Sequence, residues 1–88
     1  MTWTRETVRA ELLKLFQEHA HAEAEVTDKS QIVADLSIDS LGVMEVIAEI
    51  EDRFKLSIPD EALRNVETIG DVNRMIEARL VGEGRLQR

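Results

Sequence analysis

The residues whose types and spacing could support chemistry lie mostly in one stretch, Asp35-Leu36-Ser37-Ile38-Asp39-Ser40-Leu41-Gly42-Val43-Met44-Glu45-Val46. Asp35, Ser37 and Asp39 fall at positions one, three and five of a calcium-loop spacing. That loop also needs glycine at its sixth position and a bidentate glutamate at its twelfth. Ser40 and Val46 stand there instead, so calcium ligation is not expected and no metal ligand set is assigned. Ser40 is a hydroxyl at a loop-to-helix junction, a position where such a residue often serves as a helix cap. It has no base beside it, and His19 and His21 are remote in sequence. An unactivated serine is a poor nucleophile, and no Ser-His-Asp set can be drawn. No catalytic residue is assigned, and Ser40 reads as a substrate rather than a catalyst. The two histidines have no acid or cysteine at a ligand spacing and read as exposed side chains.

Stepping outward from Ser40, the elements that must position it are helical. Apolar residues at 43, 47, 50 and 54 follow the spacing of an amphipathic helix, expected from Ser40 to Lys55 behind the capping types Asp39 and Ser40. A rotation of about 100° per residue places Val43, Val46, Ile47, Ile50 and Phe54 on one side. Leu41, Glu45, Ala48, Glu49 and Asp52 share the opposite side. A first helix is expected from near Thr4 to His19, with Val8, Leu12, Leu15 and Phe16 on one stripe and Leu13 at its edge. Residues 20–38 lack a sustained period, and a loop of that length is expected to be functional or pinned. Val26, Ile32, Val33, Leu36 and Ile38 are the candidates to pin it by burial. Pro59 suits a first helical turn, so a short helix is expected from Pro59 to about Asn65. Thr68-x-x-Asp71 resembles a capping box and begins a last helix carrying Ile69, Val72, Ile76 and Leu80, flanked by Met75. Gly82-Glu83-Gly84 breaks the pattern. The expected class is all-α: a four-helix bundle with a long first loop and a short third helix. Residues 1–81 are read as one domain and 82–88 as a flexible tail.

With 88 residues, such a domain buries only about 60–65% of its unfolded surface. The chain contains no cysteine, so neither disulfides nor thiolates support it. A net charge of −7 argues against nucleic acid, whose binding depends on neutralising phosphates. From Asp35 to Asp60 there are seven acids and two bases, whereas the rest of the chain has eleven acids and nine bases. The negative charge is thus concentrated around the second helix. The beginning of the chain lacks the apolar run of a signal peptide, and no stretch has the length needed to span a membrane. The chain is expected to be cytoplasmic and monomeric, without membrane insertion.

Asp39-Ser40-Leu41, with Leu36 upstream and Glu45 downstream, resembles the modification motif of acyl carrier proteins. The likeness continues through Phe54, the Ile58-Pro59-Asp60 turn and Thr68-Ile69-x-Asp71-Val72. It implies that Ser40, flanked by Asp39 and Leu41, carries a covalent 4′-phosphopantetheine arm taken from coenzyme A by a magnesium-dependent transferase. Acyl groups would then be held as thioesters for fatty-acid, polyketide or related biosynthesis. The implied partners are that phosphopantetheinyl transferase and acyl-loading, condensing or tailoring enzymes. They would dock on Leu41, Glu45, Ala48, Glu49, Glu51 and Asp52. Ser37 departs from the family's usual glycine. Gly42 replaces a frequent acid, and Arg53 and Lys55 interrupt the acidic end of the helix, so housekeeping fatty-acid enzymes are expected to use this carrier poorly. A D-alanyl or other aminoacyl carrier is the near alternative. From a different class, the alternative is an unmodified acidic helical adaptor.

Overall fold

Three local signals start the three α-helices of the protein, which a computed structural model describes for residues 3–20 and 25–87. Helix α1 spans Arg5–His19 and is opened by Thr4, whose hydroxyl accepts the Thr7 N–H. Val8, Leu12, Leu15 and Phe16 are buried along one stripe, as their spacing predicts. Helix α2 spans Ser40–Phe54 behind Asp39, and buries Val46, Ile47, Ile50 and Phe54. Helix α3 spans Ile69–Gly82 and begins with a reciprocal Thr68–Asp71 capping box. The Asp71 carboxylate accepts the backbone N–H groups of Glu67 and Thr68, each at 3.0 Å. Those bonds favour its charged form, so its pKa lies below the usual aspartate range, with smaller help from the Thr68 hydroxyl and Arg74.

The long connection is pinned by backbone as well as by side chains. Ile32 N–H donates to the Glu67 carbonyl at 2.9 Å, Ile69 N–H to that of Ser30 at 3.1 Å, and Gly70 N–H to that of Asp28 at 2.7 Å. Gln31 and Thr68 form an isolated bridge beside them. These bonds attach the loop to the start of α3. Gly70 is required by that approach, because a Cβ there would sit 2.8 Å from the Asp28 carbonyl oxygen. Ile32, Leu36 and Ile38 are buried and Val26 is half-buried. Val33 is not a pin: residues 32–36 coil through a turn that directs it outward, and it is 66% exposed.

One further expectation needs correction. Only Asp60–Leu63 of the expected short third helix is helical, as a 3-10 turn after Pro59. None of its residues is fully buried, and 3-10 segments are rarely longer than this. The chain is mostly helical, with three α-helices and this turn among the described residues. Leu86 and Gln87, within the stretch 82–88 expected as a flexible tail, take part in a short strand pair. Strand β1, Trp3–Thr4, pairs in parallel with strand β2, Leu86–Gln87. The Arg85 guanidinium donates to the carbonyls of Phe54 and, at 3.2 Å, Lys55. These are terminal α2 carbonyls that the helix itself cannot satisfy.

Candidate functional site

The approach to α2 is held by two buried apolar side chains, Leu36 and Ile38, on either side of Ser37. Ser37 has a φ of 56°, a left-handed conformation that costs an L-residue about 1–2 kcal/mol. This gives the serine-for-glycine departure a physical meaning. Asp39 is the cap, its Oδ1 accepting the Gly42 N–H at 2.8 Å. Ser40 is the first helical residue and is exposed. Its hydroxyl is therefore not the cap of this helix. Gly42 completes the junction by close packing: a Cβ there would lie 2.7 Å from Ile38 Cγ2 and 3.3 Å from Asp39 Oδ1. Asp35 also acts locally, its carboxylate accepting the Gln31 N–H at 2.8 Å.

Beside Ser40 opens a mostly apolar cleft of about 740 Å³. Val43, Met44 and Ile47 of α2, Ile32 and Val33 of the loop and Phe16 of α1 line it. The loop wall is the segment bonded to the start of α3, so α3 holds it in place. Val43, expected as core, is half-buried at this cleft.

The outer face of α2 is more varied than its sequence implies. Leu41, Glu45, Ala48, Glu49 and Asp52 are exposed together, but several of the charges are already engaged. Glu49 Oε2 lies 2.7 Å from His19 Nε2, so His19 is a half-buried partner of this face rather than a fully exposed side chain. His21 lies outside the described residues. Glu51 turns inward, its carboxylate accepting the Ile58 N–H at 2.8 Å, and does not join the exposed set. Asp52 approaches Lys55 at 3.8 Å. Arg53 pairs across to Glu11 of α1 instead of entering the outer face. Glu45 makes no ion pair among the described residues. Two exposed apolar residues near Ser40 were not read as surface residues from sequence: Met44, one turn along α2, and Val33, on the loop, which was expected to be buried. Neither stands out by spacing, because only the folded loop brings them to one cleft.

Comparison with known proteins supplies a family for this geometry. Residues 10–76 match the model of the phosphopantetheine attachment site family. The chain is 38% identical over 85 residues to an acyl carrier protein of Rhodococcus erythropolis, covering 96% of this chain and 92% of that protein. The chain belongs to the acyl carrier proteins. It is also 38% identical over 78 residues to the meromycolate extension acyl carrier protein of Mycolicibacterium smegmatis, covering 88% of this chain and 79% of the relative. Its fold superposes on the acyl carrier protein of Enterococcus faecalis with a TM-score of 0.71 at 39% identity, over 89% of this chain and 98% of that one. As a member of this family the protein is a non-catalytic carrier that a phosphopantetheinyl transferase modifies. It holds acyl groups on a covalently attached 4′-phosphopantetheine and works with biosynthetic enzymes. No helix among the described residues is long and apolar enough to cross a membrane.

Proposed function

We propose that Ser40 is the attachment residue and that the adjoining cleft shelters an alkyl acyl chain. The supporting observation is the division of labour at the start of α2: Asp39 caps the helix, leaving the Ser40 hydroxyl exposed at the mouth of the cleft. Attachment forms a bond from Ser40 Oγ to the phosphorus that bears pantetheine in coenzyme A. The pyrophosphate bond breaks, the adenosine half leaves with the electron pair, and a base of the transferase receives the serine proton. The resulting phosphodiester suits a helix N-terminus, where unpaired N–H groups and the helix dipole favour negative charge. When bound, the arm supplies a terminal thiol, and so the thioester chemistry that a chain without cysteine lacks.

The apolar walls of the cleft favour an alkyl cargo over an aminoacyl one, since each buried methylene contributes about 0.8 kcal/mol. Loading, condensing and tailoring enzymes would act on such a cargo, with Leu41 and Glu45 in the surface they meet. We take the turn at Asp60–Leu63 as the counterpart of a bundle's short third helix. The attachment of residues 85–87 supports drawing the carrier domain beyond residue 81. Incubation with coenzyme A, magnesium and a broad-specificity transferase is expected to add one arm's mass, as read by intact mass spectrometry. Ser40→Ala is expected to show no addition. Modification persisting in that variant would overturn the assignment.

A further inference from the structure

Large apolar side chains exposed to water are few in this protein, and their placement is uneven. Four are found among the described residues: Val33 at 66%, Leu41 at 68%, Met44 at 51% and Val81 at 43%. Scattered exposed apolar residues are ordinary, but the first three gather at one end of α2. Leu41 follows Ser40 directly, and Val33, Met44 and Ser40 share the mouth of one cleft. None of the three is needed for the core, which is built from other residues. The acids that might offer a charged alternative are partly engaged within the chain, Glu49 by His19 and Glu51 by Ile58 N–H.

We propose that the phosphopantetheinyl transferase recognises a composite apolar surface that leaves α2, crosses the cleft mouth and includes Val33 on the loop. The inference rests on Ser40 being the attachment residue. A transferase that forms a bond to Ser40 Oγ must bring its own surface over that atom, and so over the side chains around it. Those side chains are Leu41 and Met44 on the helix and Val33 on the loop; of the nearby acids outside ion pairs among the described residues, Asp35 and Asp39 accept local backbone N–H groups, and Glu45 stands beside Met44 on the exposed turn. The fitting transferase surface is therefore an apolar socket with a cation at one side, rather than a long basic strip. Val33 can belong to it because the loop is bonded to the start of α3 through Ile32, Ser30 and Asp28. That attachment fixes the segment that brings Val33 into the same cleft lining as Met44.

The test uses the full chain in its unmodified form, so that no acyl group is present and cargo shelter plays no part. Val33→Ser and Met44→Ser are compared with Val81→Ser, the same kind of change on α3 away from the cleft. Steady-state kinetics with coenzyme A, magnesium and one broad-specificity transferase are measured with the carrier as varied substrate. A minority of interface residues, the central anchors, cost more than about 1 kcal/mol when truncated, which corresponds to a loss of roughly fivefold in kcat/KM. Val33→Ser and Met44→Ser are each expected to lose at least that much, through KM with kcat retained. Val81→Ser is expected to match the wild type. Circular dichroism of each variant separates lost recognition from lost fold. If the wild type is modified at Ser40 but Val33→Ser reacts like Val81→Ser, the composite surface is wrong while the attachment reading stands. If the wild type is not modified at Ser40, the attachment reading itself fails.

Discussion

The two ends of α2 are built in opposite ways. At its start, the chain enters through left-handed Ser37, a single Asp39 side chain caps the helix, and a cleft lies open beside exposed Ser40. At its end, left-handed Lys55 turns the chain, and Lys55 and Leu56 N–H both donate to the Glu51 carbonyl. Arg85 covers the last carbonyls, and the Trp3 ring packs against Phe54 at a tilt of 46°, with centroids 4.3 Å apart. Arg53 ties the same end to Glu11 of α1. One end is closed by groups from both chain termini, and the other is left approachable. With Ser40 as the proposed attachment residue, this anchoring of the far end leaves the first turn exposed while the rest of the helix stays held.

The largest way to break this contrast is Phe54→Ala, which empties the closed end. A loss of about 3–5 kcal/mol is expected for a buried phenylalanine, read from the denaturant midpoint. A loss below about 1 kcal/mol would mean that the closed end is not an anchor. Next comes Gly70→Ala, which pushes a methyl against the Asp28 carbonyl and strains the attachment of the loop wall. A cost of about 1–3 kcal/mol is expected, with faster amide exchange at Ile32 and Ile69, whose N–H groups lie in that attachment. Arg85→Ala should be milder, about 1–2 kcal/mol, since water can reach part of what the guanidinium satisfied. Its signature would be faster local opening at residues 54–56 with the Ser40 junction unchanged.

Asp71 sharpens the comparison through pH. Its folded pKa is lowered, so its contribution is present above the unfolded value, near ~3.9, and is lost as pH falls through the folded value. The stabilisation that Asp71 gives the start of α3 should therefore weaken as pH falls below about 4. Asp71→Asn should remove that acid-dependent step, as followed by resolved amide signals. The smallest effect expected is Ser37→Gly, which relieves the left-handed serine at the open end. Part of the relief is offset by the greater freedom of glycine in the unfolded chain, leaving up to about 1 kcal/mol of stabilisation. Destabilisation by this change would show that the serine side chain contributes something its backbone conformation does not reveal.

Two residues first read as marks of partner choice acquire structural roles. Gly42 is close-packed against Ile38, and Arg53 is paired with Glu11. An acid at 42 must displace a buried isoleucine methyl, and an acid at 53 would meet the Glu11 carboxylate. Converting both toward the housekeeping pattern is therefore expected to lower stability before it alters which enzymes use the carrier. The comparison is a thermal melt of Gly42→Asp with Arg53→Glu against the wild type.

Sequence alone determined the features that depend on near neighbours. Apolar spacing located all three α-helices and their buried stripes, and the Thr68–Asp71 box marked where α3 begins. Helix formation and capping are governed by residues three or four positions apart, so the signal survives in one dimension. The motif around Ser40 was legible as a family resemblance, carried by residue types at fixed short spacings. Tertiary structure alone decided which charges remain available, because His19–Glu49, Arg53–Glu11 and Arg85–Phe54 join residues about thirty or more positions apart. It also decided that Val33 faces outward and that Leu86 and Gln87 pair with Trp3 and Thr4. Both outcomes depend on segments that meet only in the folded chain, and no local spacing records that meeting.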